Sequence, residues 1–172
     1  TFGPYAFIIY SIAVSLRDLG MTMAPQNAFQ TLLGLETLSL RMKKHVSNSI
    51  KIANWLEKHP KIEKVTYAGL KSSQYFNRAK SILPKGAGAL FTISLKDGYE
   101  ACIKMISKLN LFSHVSNLGD TRSLIIHPAS TVHRQLTEEQ QKNAGLAPNV
   151  IRLSIGIEDP KDLINDLRHA LE

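Results

Sequence analysis

Val150-Ile151-Arg152-Leu153-Ser154-Ile155, continued by Gly156-Ile157-Glu158-Asp159-Pro160, is the stretch whose reading decides the fold. In an extended chain Ile151, Leu153 and Ile155 fall on one side and Val150, Arg152 and Ser154 on the other. A strand over Asn149 to Ile155 therefore has one apolar face to bury, and it carries Arg152 on the opposite face. Asp159 is suited to cap the next helix and Pro160 to open it, while Leu163, Ile164, Leu167, Ala170 and Leu171 give that helix a single apolar side. A half-buried strand followed by an amphipathic helix is the unit of a sheet covered by helices on one face.

The same pattern extends toward the N-terminus. Ser123 to His127, ended by Pro128, and Leu111 to Ser116 read as strands. Ala89, Phe91, Ile93 and Leu95 alternate with Leu90, Thr92, Ser94 and Lys96, the period of a strand with one better-buried face. Lys64 to Ala68 predicts another. An amphipathic helix runs through Tyr99, Cys102, Met105, Ile106 and Leu109. Thr137-Glu138-Glu139-Gln140 matches a capping box, so a short helix should start there and end near Gly145. The expected class is α+β, with a mostly antiparallel sheet of four to five strands and helices on one side.

Ahead of Pro60 the periodicity is helical throughout. Phe7, Ile8, Ile12 and Leu16 predict a buried helix, apolar nearly all round, closing at Gly20. Pro25 starts a second, with Leu35, Leu38, Met42, Val46, Ile50, Ala53 and Leu56 at steps of three and four, Gly34 as a possible break, and a stop at Lys58-His59-Pro60. These signals divide the chain into an N-terminal helical arm over residues 1–60 and a compact sheet domain over residues 61–172.

With 172 residues, 44% of them hydrophobic and 20% charged, the chain has enough apolar material for one folded domain core. Its first residue is Thr1, as expected of a processed product or a piece of something longer. The lone Cys102 excludes an internal disulfide framework and fits a reducing cytoplasm. Tyr5 to Leu16 is too short for a bilayer crossing, which takes about 20 residues, so no membrane role is expected. The formal charge of +7 raises the question of nucleic acid. Its basic residues are scattered among acids without interleaved aromatics, which is the pattern of a solvated face and not of a nucleic-acid platform.

Three places can carry chemistry. Arg152, held on a strand, can clamp a carboxylate through two parallel hydrogen bonds, or serve in an internal ion pair. Ser116-Asn117-Leu118-Gly119-Asp120 can aim donors at an anion, or form an ordinary Asx turn. His127 and His133 flank Pro128 at a spacing foreign to helical or finger-type zinc sites, so no metal is expected, and Ser130 lacks the glycine-flanked elbow of a nucleophile.

Several long motifs occur in order: Leu19-Gly20, Ala24-Pro25-Gln26-Asn27-Ala28-Phe29, Gly34-Leu35-Glu36-Thr37-Leu38-Ser39-Leu40-Arg41-Met42, His127-Pro128-Ala129-Ser130-Thr131, and Ile151 to Asp159. With them the whole chain resembles the C-terminal part of the Cys/Met metabolism family of pyridoxal-phosphate enzymes, fold type I proteins. The resemblance implies that Arg152 binds the α-carboxylate of an amino acid substrate and that Asn117 helps position it. Asn117, Asn27 and the Thr131-Val132-His133-Arg134-Gln135-Leu136 run are similar to the sulfhydrylase branch, which joins O-acetyl-L-homoserine and sulfide into homocysteine and acetate in methionine biosynthesis. Val132 stands where that branch commonly has threonine. Cystathionine synthases, cystathionine lyases and methionine lyases share the domain and are the alternatives within the family. The family's cofactor is pyridoxal 5'-phosphate, and its lysine, its aspartate partner and its phosphate-binding groups are expected upstream of Thr1. The chain alone is thus expected to bind no cofactor, to have no catalytic residue and not to turn over. Its expected partners are the missing N-terminal cofactor domain, the amino acid substrate and further copies in a homo-oligomer. Outside the family, a non-catalytic self-association or docking module is the alternative.

Overall fold

The computed structural model describes residues 3–144 and 147–172. Two compact units divide between Ser39 and Leu40. The boundary thus falls well ahead of the expected break near Pro60. The reason is that the long helix α4 (Leu38–Leu56) buries His45, Asn48, Ser49, Ile52, Ala53 and Leu56, and the last two, with Ile52, belong to the core of the sheet domain.

In the first unit, a helical run passes from α1 (Ala6–Tyr10) through a π-helical segment, Ser11–Leu16, to α2 (Arg17–Leu19). It closes on Gly20, whose φ of 64° is the left-handed cap that glycine adopts without a Cβ penalty. Helix α3 (Pro25–Glu36) follows, with Pro25 in its first turn. Gly34 lies inside α3; the break comes at Thr37. The stretch read as a buried helix is exposed, Phe7 by 82%, because an element that is apolar all round needs cover on more sides than a second short helix provides.

The second unit is built on a five-stranded sheet of order β1-β2-β5-β4-β3, with β1 (Ile62–Thr66), β2 (Leu90–Leu95), β3 (Ser113–His114), β4 (Leu124–Ile126) and β5 (Val150–Ser154). All neighbours are antiparallel except β3 and β4, which run parallel. Helices α4, α6 (Gly98–Lys108) and α8 (Pro160–Leu171) supply Ile52, Leu56, Cys102, Met105, Leu163 and Leu167 to the core beneath Phe91, Ile93, Ile125, Ile151 and Leu153. Each such fully buried aliphatic side chain contributes about 1.5–3 kcal/mol relative to exposure. Helix α5 (Phe76–Ile82), which carries no buried residue, had no periodic signal in the sequence.

Strand β3 is shorter than the expected Leu111 to Ser116. After His114, successive short-range bonds from Val115 N–H to Ser113 O (3.0 Å) and from Asn117 N–H to Val115 O (3.2 Å) turn the backbone off the ladder. Before it, buried Asp166 of α8 accepts from the N–H groups of Asn110 and Leu111 at 2.9 Å each, fixing the approach to the sheet. The capping box closes as expected on α7 (Glu138–Asn143): Gln140 N–H donates to Thr137 Oγ1 at 3.2 Å, and Thr137 N–H to Gln140 Oε1 at 2.9 Å. The expected end near Gly145 lies outside the described residues.

Leu153 is wholly buried at the centre of the sheet, so Leu153→Ala should lower stability by about 2–5 kcal/mol, read as a shift of the urea unfolding midpoint. Asp159 caps α8 by accepting from Lys161 N–H at 2.7 Å, and Asp159→Ala should cost about 1 kcal/mol in the same measurement.

Candidate functional site

The face of the sheet away from the helices forms a concavity of about 440 Å³. Its floor follows from the register. Thr66, Thr92, Arg152 and Ile126 form one cross-strand row, and Lys64, Ser94 and Val150 the next. His133, Val132, Pro128 and Ala147 complete the wall. Because side chains alternate across a strand, burying Ile151 and Leu153 beneath the sheet obliges Arg152 to stand on this open side.

Arg152 is half-buried, and its guanidinium forms no hydrogen bond or ion pair among the described residues. The internal ion pair weighed for it is thus not formed there. The described lining holds Arg152 and Lys64, hydroxyls from Thr66, Thr92 and Ser94, and no aspartate or glutamate. A planar donor fork in a half-enclosed cavity without carboxylates suits an incoming carboxylate.

Asn117 does not line this concavity. It stands exposed in the loop after β3, where its Oδ1 accepts from Leu118 N–H at 2.9 Å in a tight turn completed by Gly119 at φ 71°. His114 pairs with Ile125 in a parallel ladder and Ile126 pairs with Arg152, so β3 leaves its ladder one residue short of the cross-strand row that holds Arg152.

The histidines play different parts. His127 is buried with both ring nitrogens engaged, Nδ1 with Ser130 Oγ at 2.9 Å and Nε2 with the Pro148 carbonyl at 2.7 Å, and the Tyr99 ring packs edge-on against it. It braces the Pro128–Ser130 turn and leaves Ser130 without a free base. Cys102 is also buried, which pushes its thiol up to about 11 and keeps it a neutral core residue.

Sequence reasoning missed the polar groups that hold the exit of β5. Glu158 accepts from Ser123 N–H at 2.6 Å and from Ser123 Oγ at 2.9 Å, while Ser123 Oγ accepts from Gly156 N–H at 2.8 Å. Ile157 N–H donates to Thr121 O at 2.9 Å. From behind, His45 Nδ1 donates to Ile155 O at 2.6 Å, and Asn48 Nδ2 to Gly156 O at 3.1 Å and Glu158 O at 2.8 Å. Asn48 Oδ1 is buried without a partner among the described residues, which costs roughly 1–3 kcal/mol. A Cβ on Gly156 would collide with Thr121 O and Glu158 Oε2, so the segments approach as closely as glycine permits. The available signal was the spacing of His45, Asn48 and Ser49 on one helix face, overlooked because the apolar stripe through Met42, Val46 and Ile50 drew the reading. Met42 and Ile50 are exposed. On the Asn117 loop, the Arg122 N–H bonded to Asp120 holds that carboxyl below the usual carboxylate range.

The concavity does not supply a complete cofactor site. Lys64, its one lysine, is exposed on β1, and the described lining has no carboxylate to pair a pyridine nitrogen.

Comparison with known proteins bears on the whole chain. The family model described as Cys/Met metabolism PLP-dependent enzyme matches residues 7–172. The chain is 46% identical over 170 residues to O-acetyl-L-homoserine sulfhydrylase 1 of Thermus thermophilus, covering 99% of this chain and 40% of that protein. It is 43% identical over 172 residues to homocysteine synthase of Schizosaccharomyces pombe, covering 100% and 40%. It is 41% identical over 160 residues to L-methionine gamma-lyase of Fusobacterium nucleatum, covering 92% and 40%. A crystal structure from Campylobacter jejuni, described as an O-acetylhomoserine (thiol)-lyase with N'-pyridoxyl-lysine-5'-monophosphate, superposes with a TM-score of 0.87 at 47% identity, covering 96% of this chain and 39% of that one. The chain therefore spans about 40% of the length of these relatives. With the motifs, the sheet and the match running together from end to end, this chain belongs to the Cys/Met metabolism family of PLP-dependent enzymes.

Proposed function

We propose that the chain is the substrate-binding C-terminal domain of an O-acetylhomoserine sulfhydrylase, an enzyme that replaces the acetate of O-acetyl-L-homoserine with sulfide to form homocysteine. The observation that carries this reading is the guanidinium of Arg152, without a partner among the described residues, standing on the central strand in a concavity free of described carboxylates. Arg152 grips the α-carboxylate, Asn117 approaches it from the adjoining loop, and the Thr66, Thr92 and Ser94 hydroxyls line the floor. Similarity to sulfhydrylases in bacteria and yeast supports the reaction.

The cofactor in this reading is pyridoxal 5'-phosphate, bound by the part of the complete enzyme that the relatives have and this chain does not span. The chain alone binds none and does not turn over. The exposed apolar residues Phe7, Ile12, Phe29 and Leu32 support a homo-oligomer and contact with a cofactor domain. The cytoplasm is the proposed location. Among the described residues no helix is long and apolar enough to cross a membrane. A methionine lyase is the second reading, favoured by the match to the Fusobacterium enzyme. Assaying the complete enzyme with O-acetyl-L-homoserine plus sulfide, and separately with methionine, decides between them.

In the complete enzyme, Arg152→Ala should raise KM for the amino acid roughly 10- to 150-fold, matching the ~1.5–3 kcal/mol of a charge-assisted hydrogen bond. The cofactor absorption spectrum should not change, and an unaltered KM would remove the role assigned to Arg152. The purified chain by itself should form no homocysteine from O-acetyl-L-homoserine and sulfide, and detection of that product would overturn its assignment as an inactive domain.

A further inference from the structure

We propose that Glu158 and Ser123 are positioning residues that set the Asn117 loop at its working distance from Arg152. The inference rests on the reading of Arg152 and Asn117 as the groups that hold the substrate carboxylate. Those two residues are placed by different routes. Arg152 belongs to β5, whose place is secured by five paired residues along β2. Asn117 hangs from β3, which is tied to the sheet through two pairs with β4, itself joined to β5 through three. Ladders this short are weakly protected against a one-residue slip, and such a slip would turn every side chain to the other face. The placement of Asn117 therefore needs a lock outside the ladders.

The Glu158 carboxylate is that lock. Its two oxygens accept separately from the N–H and the hydroxyl of wholly buried Ser123, the residue that enters β4. The same hydroxyl accepts from Gly156 N–H just past β5, and Ile157 N–H reaches Thr121 O one step further along. The segment from Asn117 to Ser123 is thus held at one end by β3 and at the other by the exit of β5. A tight turn, with Arg122 N–H on Asp120 Oδ1 at 3.0 Å, joins the two. His45 and Asn48 of α4 fix the carbonyls of Ile155, Gly156 and Glu158, so the clamp is anchored to the core of its own domain. A carboxylate is the suitable group because it presents two acceptors at once and no donor.

The test is a double-mutant cycle in the complete enzyme. Glu158→Gln keeps the size of the side chain and replaces one acceptor by a donor. It should raise KM for the amino acid substrate roughly five- to tenfold, move kcat by less than about twofold and leave the cofactor spectrum unchanged. In an Asn117→Ala background the same change should raise KM by less than about twofold further, because Glu158 acts through that loop. An equal factor in both backgrounds, an unchanged KM, or a joint loss of kcat and cofactor would overturn the proposal. Ser123→Ala, which removes a single oxygen atom, is carried through the same cycle and decides the matter if the glutamine variant does not fold. Arg152→Ala and Asn117→Ala are measured alone alongside. If neither moves KM, the carboxylate reading itself fails; if both do and the clamp variants do not, only the positioning role is lost.

Discussion

Strand β5 has to satisfy opposed demands along five residues. Its lower face must lie in a dry core under Ile151 and Leu153, its upper face must offer a charged fork, and its end must turn at once into α8. The hydrogen bonds at that end reconcile them. Four groups from outside the strand, on His45 and Asn48 of α4 and on Thr121 and Ser123 of the segment entering β4, take up the peptide groups of Ile155 to Glu158 that a strand end otherwise leaves to water. With the exit fixed, neither the register of β5 nor the direction of Arg152 is free to drift.

Charge is distributed to match. The chain is basic as a whole, yet the relevant cations are the two that share the open face with a row of hydroxyls. Two acids elsewhere in the domain are held by its own polar groups: Glu158 by Ser123, and Asp166 by the backbone ahead of β3. The described lining of the concavity itself holds no carboxylate to compete for the guanidinium.

Much of this was legible in the sequence because it follows from periodicity. The alternation in β2 and β5, the cap and proline at the start of α8, and the capping box at Thr137 each depend on residues next to one another. The face on which Arg152 stands follows from the same count of two. What escaped depends on contacts distant in sequence. His45 and Asn48 sit amid a plausible apolar stripe, and nothing near them shows that their partners lie on the far side of the chain. The shortness of β3 and the division at Ser39 are likewise settled by what packs where, and α5 buries nothing that would leave a periodic mark. The roles proposed for Arg152 and Asn117 come from the resemblance and from no single motif, while the hydrogen bonds around the exit of β5 are visible in the fold alone.

The order of strands has a consequence for how such a molecule comes into being. The last strand made takes the central place, with β1 and β2 on one flank and β3 and β4 on the other. Until Val150 to Ser154 leave the ribosome, β2 and β4 lack the strand that joins them, and their inner edges have no partner. Vectorial synthesis therefore cannot complete this sheet stepwise; its two flanks join only once that strand is made.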